Sequence, residues 1–242
     1  MKQSLGTEKS KVSIIIAYFL IYVVWGSTYY FIGVALKGLP PFLLGAFRFT
    51  TAGLILLLWG WYRGEPVFKK SLIKKSAISG IVLLFIDMAV VMLAQGYVSS
   101  SLVAIIASST AIWIMALDVP MWKKNFRNPL VIVGILIGFL GVMMLYVEQF
   151  RLDTTADEHR EYGVLLLSFG CISWALGTLY AKYRSSGEEE VNAFAGSAWQ
   201  MLFASAMFWV CALFSGDVVN TDLHAVSTTS WLSLAYLIIF GS

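Results

Sequence analysis

The chain has 242 residues, of which 59% are hydrophobic and 13% are charged, and its formal net charge is +3. A soluble domain carries roughly 25% charged residues, so this composition excludes an ordinary water-soluble protein and indicates that most of the surface faces lipid. A net charge this small gives no indication of binding to nucleic acid, and we expect none.

Eight apolar segments follow one another along the chain, most of them long enough to cross the hydrocarbon core as a helix. Open sheet edges cannot be satisfied in lipid and no period-2 alternation is present, so we expect helices throughout. The sequence therefore predicts an all-α, polytopic membrane helix bundle. The predicted spans, of which the last is short, are 12–36, 41–62, 76–96, 101–121, 129–147, 163–183, 191–214 and 230–242.

The basic residues are concentrated in alternate gaps between these spans. Of the 17 Lys and Arg residues, 13 lie before the first span or in the gaps after the second, fourth and sixth spans, and three lie in the other gaps. The positive-inside rule then predicts that the N-terminus is cytoplasmic. Because the basic N-terminal segment leads into a span too long for a signal peptide, we interpret that span as an uncleaved anchor.

The second part of the chain resembles the first. Segment 22–29 is similar to 172–178, and segment 45–49 is similar to 197–201. Since the first copy contains five spans, an odd number, the second copy would enter the membrane from the opposite side. This predicts an inverted-topology repeat, which is a recurrent architecture of secondary transporters.

The repeat divides the chain into three parts: a first repeat over 12–147 with helices 1–5, an acidic outer linker over 148–162, and a second repeat over 163–242 with helices 6–8. The second copy lacks counterparts of roughly residues 88–147. A complete version would have ten helices, and we expect the parent gene to continue past Ser242 with two more apolar segments.

Several short segments resemble the EamA family of the drug/metabolite transporter superfamily. Its opening is similar to Trp-Gly-Ser-Thr-Tyr at 25–29, Gly-Leu-Pro-Pro at 38–41, Arg-Phe at 48–49 and Ala-Gly at 52–53. The junction between the third and fourth spans of the family is similar to segment 97–104, and its second-half signature is similar to segment 198–201. The resemblance implies a ten-helix, proton- or gradient-dependent exporter of amino acids or other small metabolites in a bacterial inner membrane. The incomplete second repeat departs from this pattern.

Two charged residues, Asp87 and Arg48, lie well inside predicted spans. A charge at the bilayer centre costs about 2.5–3.5 kcal/mol on insertion scales, and such residues usually face a cavity or a partner. Asp87 is predicted to contact a solute ammonium group or to carry a proton, with a structural role as the alternative. Counting 1.5 Å per residue puts Arg48 at a similar depth, so we expect it to pair with Asp87 or to bind a solute carboxylate.

Aromatic and hydroxyl side chains complete the predicted solute pathway. Trp25 and Trp174 occupy matching repeat positions, although ordinary packing or lipid contact is the alternative. Hydroxyls inside helices can contact a solute or bond back to their own backbone. The predicted pathway residues are Asp87, which is also the proton-coupling candidate, Arg48, Trp25, Tyr29, Ser108, Ser109, Trp113, Trp174, Thr178 and Gln200.

Two further predictions concern residues outside this pathway. Asp118, near the cytoplasmic end of the fourth span, is expected to be a water-exposed residue at the mouth of the bundle. Gly134, Gly138 and Gly141 form a small-residue face that is typical of helix packing within a chain or between protomers, which leaves a homodimer possible.

The sequence contains no P-loop lysine motif, no zinc-protease motif and no nucleophile elbow. We therefore predict neither an enzyme nor an ATPase, and we expect no cofactor and no metal. The favoured function is a secondary transporter of small metabolites such as amino acids or drug-like compounds, working by alternating access in the bilayer, and export is favoured over import. The alternative is a non-transporting membrane interaction protein or an inactive fragment of a ten-helix transporter.

Overall fold

The computed structural model of the protein describes residues 13–152, 160–185 and 193–242. In these ranges the chain forms helices and no strand, which confirms the all-α prediction. The basic N-terminal residues, the centre of the predicted 148–162 linker and the start of the seventh predicted span lie outside the described residues. The long helices are α1 (Ser13–Ala35), α2 (Pro41–Tyr62), α3 (Lys70–Ala94), α4 (Ser100–Leu117), α5 (Pro129–Leu152), α6 (Arg160–Ser185), α7 (Ala193–Phe214) and α8 (Thr228–Phe240).

Six of these helices are long and apolar enough to cross a membrane within the described part of the chain, namely α1, α2, α3, α4, α6 and α7. The fifth and eighth predicted spans form helices whose apolar stretches, Pro129–Met144 and Thr228–Phe240, are shorter. The prediction of an all-helical membrane protein is therefore confirmed. The inverted repeat and the incomplete second copy stay predictions.

Helix ends agree with the prediction where the sequence contains a strong local signal. Helix α2 spans Pro41–Tyr62 as predicted, because a proline is well tolerated at the first helical position and Gly64 after its end adopts φ 72°. Helix α4, in contrast, ends at Leu117 and not at residue 121. Pro120 has no N–H to donate to the carbonyl of Ala116, which accepts instead from the indole N–H of Trp122 at 3.0 Å.

Helix α3 begins at Lys70, six residues before the predicted span. Its first turns contain Lys70, Lys74 and Lys75 beside apolar residues, and Leu72 is buried in a small cluster with Val67 and Ala195 of α7. Hydropathy therefore predicted only the more apolar part of this helix, from residue 76 onward.

Small residues allow α2 and α7 to pack closely at the centre of the bundle. A Cβ at Gly45 would lie 2.7 Å from the ring of Phe208, and one at Gly53 would lie 3.0 Å from Leu202. Phe49 stacks on the same Phe208 ring at a centroid distance of 5.7 Å. Without a hydrophobic force between helices in lipid, such close approach is a main source of association.

Two helices contain segments wound as π-helix, Leu20–Trp25 in α1 and Gly80–Ile86 in α3. π-Helical turns are rare and occur frequently at functional sites. The first segment ends at Trp25 and the second is followed directly by Asp87, both predicted pathway residues. The α3 segment is held by α6, whose Ser173 hydroxyl donates to the carbonyl of Val82 at 2.7 Å.

The close contact of the α3 π-segment with α7 leads to a stability prediction. A Cβ at Gly80 would lie 2.5 Å from the carbonyl oxygen of Gln200 and 2.8 Å from its Cα, and backbone atoms cannot move aside cheaply. We expect Gly80→Ala to destabilise the protein by about 1–3 kcal/mol, as overpacked substitutions do. The measurement is the thermal unfolding midpoint of the purified protein in detergent.

Gly134→Ala on α5 is the matched control, because a Cβ there meets no atom within 4 Å. Its midpoint should equal or slightly exceed that of the parent protein, since alanine is a better helix former than glycine. Equal midpoints for Gly80→Ala and Gly134→Ala would show that α3 and α7 are not in contact at Gly80.

Candidate functional site

A chamber with a volume of about 650 Å³ lies among α1, α3, α4 and α6. Its wall is mainly apolar and aromatic, with Trp25 and Tyr29 from α1, Ser108 from α4, and Cys171 and Trp174 from α6. Among the described residues that line it, Asp87 carries the only charge. A mostly apolar cavity with a few polar groups is the usual form of a small-molecule site.

The Asp87 carboxylate faces this chamber without a partner. The residue is only 7% exposed, and its Oδ1 lies opposite Gly170 of α6, where an added Cβ would be 3.1 Å away. Across residues 13–152, 160–185 and 193–242, no side chain or backbone N–H donates a hydrogen bond to it. Since a charged group in the membrane is normally paired or turned toward a cavity, its orientation suits a ligand or a proton.

A second chamber, of about 290 Å³, adjoins the first and contains Arg48 of α2. Arg48 is 4% exposed, and its Nε donates to the Ser242 hydroxyl at 3.0 Å while its Nη2 donates to the carbonyl of Gly241. Its guanidinium also lies 4.8 Å from the ring centroid of Phe49.

The predicted ion pair between Arg48 and Asp87 is not formed, because no oxygen of Asp87 lies within 4.0 Å of Arg48, although both residues are described. The side chain that α3 turns toward Arg48 is Met88, whose Sδ is 3.9 Å from Nη1. Consecutive residues of a helix point about 100° apart, so Asp87 is directed toward α6 instead. The depth estimate from the sequence could not show this difference in direction.

Four residues line both chambers and form a septum between them: Trp25, Tyr29, Met88 and Trp174. The rings of Trp25 and Trp174 lie 5.9 Å apart with a 44° tilt. The two tryptophans that the sequence placed at matching repeat positions are thus in contact. A solute moving from Asp87 toward Arg48 would have to displace this septum.

The other predicted pathway residues lie outside both chambers. The Ser109 hydroxyl is 3.9 Å from the Cys171 sulfur, and Trp113 packs partly buried against the core. The Gln200 amide donates to Ser79 at 2.9 Å and joins α7 to α3, while Thr178 is half-buried on α6.

Ser108 lines the first chamber, but its hydroxyl donates to the carbonyl of Ile105 at 2.6 Å, which is the alternative that the sequence left open. Conversely, the prediction omitted Met88 and Cys171. Methionine and cysteine are common packing residues, so nothing in the sequence distinguishes Met88 and Cys171 from the rest of the core.

The expectation that Asp118 is water-exposed is wrong. This residue is 4% exposed, its Oδ2 accepts from Lys182 Nζ at 2.7 Å, and its Oδ1 accepts from the hydroxyl of Tyr183. The hydrogen bonds from Lys182 and Tyr183 lower the pKa of the Asp118 carboxyl. Because the folded-state pKa is depressed, the stabilisation is present above the unfolded value and is lost only as the pH falls through the folded one.

Comparison with known proteins decides which class of membrane protein contains this site. Residues 12–147, more than half of the chain, match the EamA-like transporter family. The chain belongs to the EamA-like transporter family. The resemblance seen in the sequence is therefore confirmed, and family membership supports a general role in membrane transport.

Relatives of this EamA-family chain occur in bacteria, archaea and plants. It is 28% identical over 228 residues to the "Uncharacterized inner membrane transporter YedA" of Escherichia coli K12, covering 93% of this chain and 69% of the relative. It is 29% identical to an "Uncharacterized transporter" of Archaeoglobus fulgidus, over 70% of this chain and 57% of the relative. A third relative, 26% identical, is the "WAT1-related protein At3g02690, chloroplastic" of Arabidopsis thaliana, over 93% and 55%. No solved structure matches the chain.

Proposed function

We propose that this EamA-family chain is a secondary transporter that exports a small metabolite through the two chambers between α1, α2, α3, α4 and α6. The observation that carries the proposal is the unpartnered Asp87 carboxylate in an apolar chamber of about 650 Å³. That volume suits a drug-sized or smaller solute, since ligand pockets measure roughly 300–1,000 Å³. The proposed location is a bacterial inner membrane, with the N-terminus in the cytoplasm.

The charges of the two chambers favour a solute that carries both signs. Asp87 in the first chamber would bind a cationic group, and Arg48 in the second would bind an anionic one. The aromatic septum between them supplies apolar surface and ring faces that attract cations. Amino acids and drug-like compounds with an amine fit this arrangement. In the absence of solute, Asp87 would hold a proton, which couples export to the proton gradient.

Alternating access would arise from movement of two repeats about the septum. Support comes from the contact between Trp25 and Trp174, which the sequence places at equivalent positions of an inverted repeat. In such transporters, the solute site lies at the interface of the repeats and is exposed to each side in turn. The π-helical turns beside Trp25 and Asp87 provide places where α1 and α3 can change their winding.

The proposal is tested by solute export. Cells that express the complete gene are screened for resistance to a panel of amino acids, amino-acid analogues and amine drugs, and flux of each protected compound is then measured in proteoliposomes. We expect at least one compound with an amine to move faster than in empty vesicles, with a rate that depends on an imposed pH gradient. Flux no faster than in empty vesicles for every compound would favour a non-transporting membrane interaction protein. Flux without any response to the pH gradient would remove the proton-coupling role of Asp87.

A further inference from the structure

The wall of the first chamber continues as two regular stripes of residues along α4 and α6. On α4 the lining residues include Ala107, Ala111 and Ile114, spaced three or four apart, and the next position on this face is Asp118. On α6 the lining residues are Leu167, Cys171 and Trp174, and two further turns along the same face lies Lys182. Residues three and four apart lie on one side of a helix. Each stripe is therefore one face of its helix, and it leads from the chamber to Asp118 on α4 or to Lys182 on α6.

At the end of these stripes the two helices are tied together. Lys182 Nζ donates to Asp118 Oδ2 at 2.7 Å, and the neighbouring Tyr183 hydroxyl donates to the other carboxylate oxygen. The carboxylate therefore has a partner on each oxygen, and the Asp118 side chain is only 6% exposed while that of Lys182 is 49% exposed. Asp118 thus lies on the protein side and Lys182 on the water side of the contact.

The contact also marks a change in the backbone of α4. The helix ends at Leu117, and Asp118 leaves the helical region with φ −78° and ψ 63° before the turn at Val119–Met121. The segment that follows has left the helical hydrogen-bond pattern and is attached to α4 by the Trp122 indole N–H, which donates to the carbonyl of Ala116 at 3.0 Å. The contact of Asp118 with Lys182 and Tyr183 therefore joins α6 to the point at which the backbone of α4 leaves the helix.

We propose that Asp118, Lys182 and Tyr183 form a gate that closes the first chamber toward the membrane surface at which α4 and α6 end. Its meaning for transport depends on the function proposed above, but its existence as a barrier does not. In the bonded state the gate joins the two helices one turn beyond Ile114 and separates the chamber from water. Release of the Asp118 carboxylate opens a path along the two stripes.

The gate is tested by labelling the native Cys171, which lines the chamber. The chain has two cysteines, both free, so Cys211→Ser leaves Cys171 as its single thiol. The probe is the membrane-impermeant cation trimethylammonium-ethyl methanethiosulfonate, added to right-side-out and to inverted membrane vesicles. Labelling is followed by mass spectrometry of the purified protein, so no solute needs to be known.

We expect Lys182→Met and Asp118→Asn each to raise the labelling rate from the gate side by up to about fivefold, because a partly exposed ion pair contributes only a small stabilisation. The rate from the opposite side should not change. The double variant should label no faster than the faster single variant, because both changes break the same contact. Tyr183→Phe removes one hydroxyl and should give a smaller increase, and it serves as the test if the charge variants do not fold.

Lys123→Met is the matched control, since it removes a positive charge from the exposed segment after α4 without touching the gate. The two gate variants change the local charge in opposite directions, so an increase in both is not caused by attraction of the cationic probe. Unchanged labelling in all the gate variants, or an equal increase from both sides of the membrane, would overturn the proposal. Failure of the proposed function would appear differently, as absent solute flux in the parent protein.

Discussion

Asp87→Asn is expected to reduce solute flux by about 10- to 100-fold, the loss that follows when a charged hydrogen bond of about 1.5–3 kcal/mol is removed. The substitution keeps the size of the side chain but removes the single charge on the described wall of the first chamber. A cationic group of the solute would then enter an apolar chamber without a counter-charge. The measurement is the initial rate of flux in proteoliposomes, at equal amounts of reconstituted protein, for a compound that the resistance screen identifies.

The same variant should leave the protein as stable as its parent or make it more stable. The Asp87 carboxyl group accepts no hydrogen bond from the described residues, so its replacement breaks no contact, and an amide avoids the cost of ionising a carboxyl group inside the membrane. A structural aspartate would give the opposite result, with a lower unfolding midpoint. Asp222→Asn is the control, because Asp222 accepts from the backbone N–H of His224 on the exposed surface and should affect neither quantity. Normal flux in Asp87→Asn would exclude Asp87 from the pathway.

Arg48→Lys is expected to lower both flux and stability, in contrast to Asp87→Asn. The guanidinium of Arg48 bonds Ser242 through Nε and the carbonyl of Gly241 through Nη2, and it closes one side of the second chamber. Lysine keeps the positive charge but has one nitrogen in place of the planar fork. Loss of one charge-assisted bond should cost about 1.5–3 kcal/mol of stability. We expect flux to fall at least about tenfold, which corresponds to about 1.4 kcal/mol.

Arg63→Lys on the same helix is the control for the change from arginine to lysine. Arg63 lies at the exposed end of α2, where its guanidinium is 5.7 Å from the ring centroid of Trp59, and the substitution should have little effect. Thermal unfolding in detergent and flux in proteoliposomes are measured for both variants. An Arg48→Lys protein that unfolds and transports like its parent would mean that the geometry of the guanidinium is not required.

The sequence predicted those features that depend on local composition. Apolar length defined most of α1, α2, α6 and α7, and Pro41 marked the start of α2 to the residue. Helix α3 extends beyond its apolar stretch and begins at Lys70. Hydropathy placed its start too late because the first turns of the helix contain lysines. The family was recognisable from short segments such as Trp-Gly-Ser-Thr-Tyr at 25–29, because a motif of this kind depends only on local sequence.

The arrangement of side chains around the chambers could be predicted only in part. The depth of Asp87 and Arg48 follows from residue counting, but the direction of each side chain depends on the winding of α3, which contains a π-segment immediately before Asp87. The bond between Asp118 and Lys182 joins residues 64 positions apart, and no local pattern indicates it. Likewise, no local pattern indicates that the Gln200 amide donates to Ser79 and joins α7 to α3.

The claim that the first chamber is the solute pathway is tested most directly by blocking it at Cys171. In the Cys211→Ser background, the single thiol is 3% exposed and lines the chamber, so an alkyl group added there occupies the path itself. The measurement is flux by proteoliposomes after quantitative alkylation with N-ethylmaleimide, together with the rate of alkylation at saturating solute. We predict that alkylation abolishes flux and that the solute slows it. Fully alkylated protein that still transports at the unmodified rate would contradict this assignment.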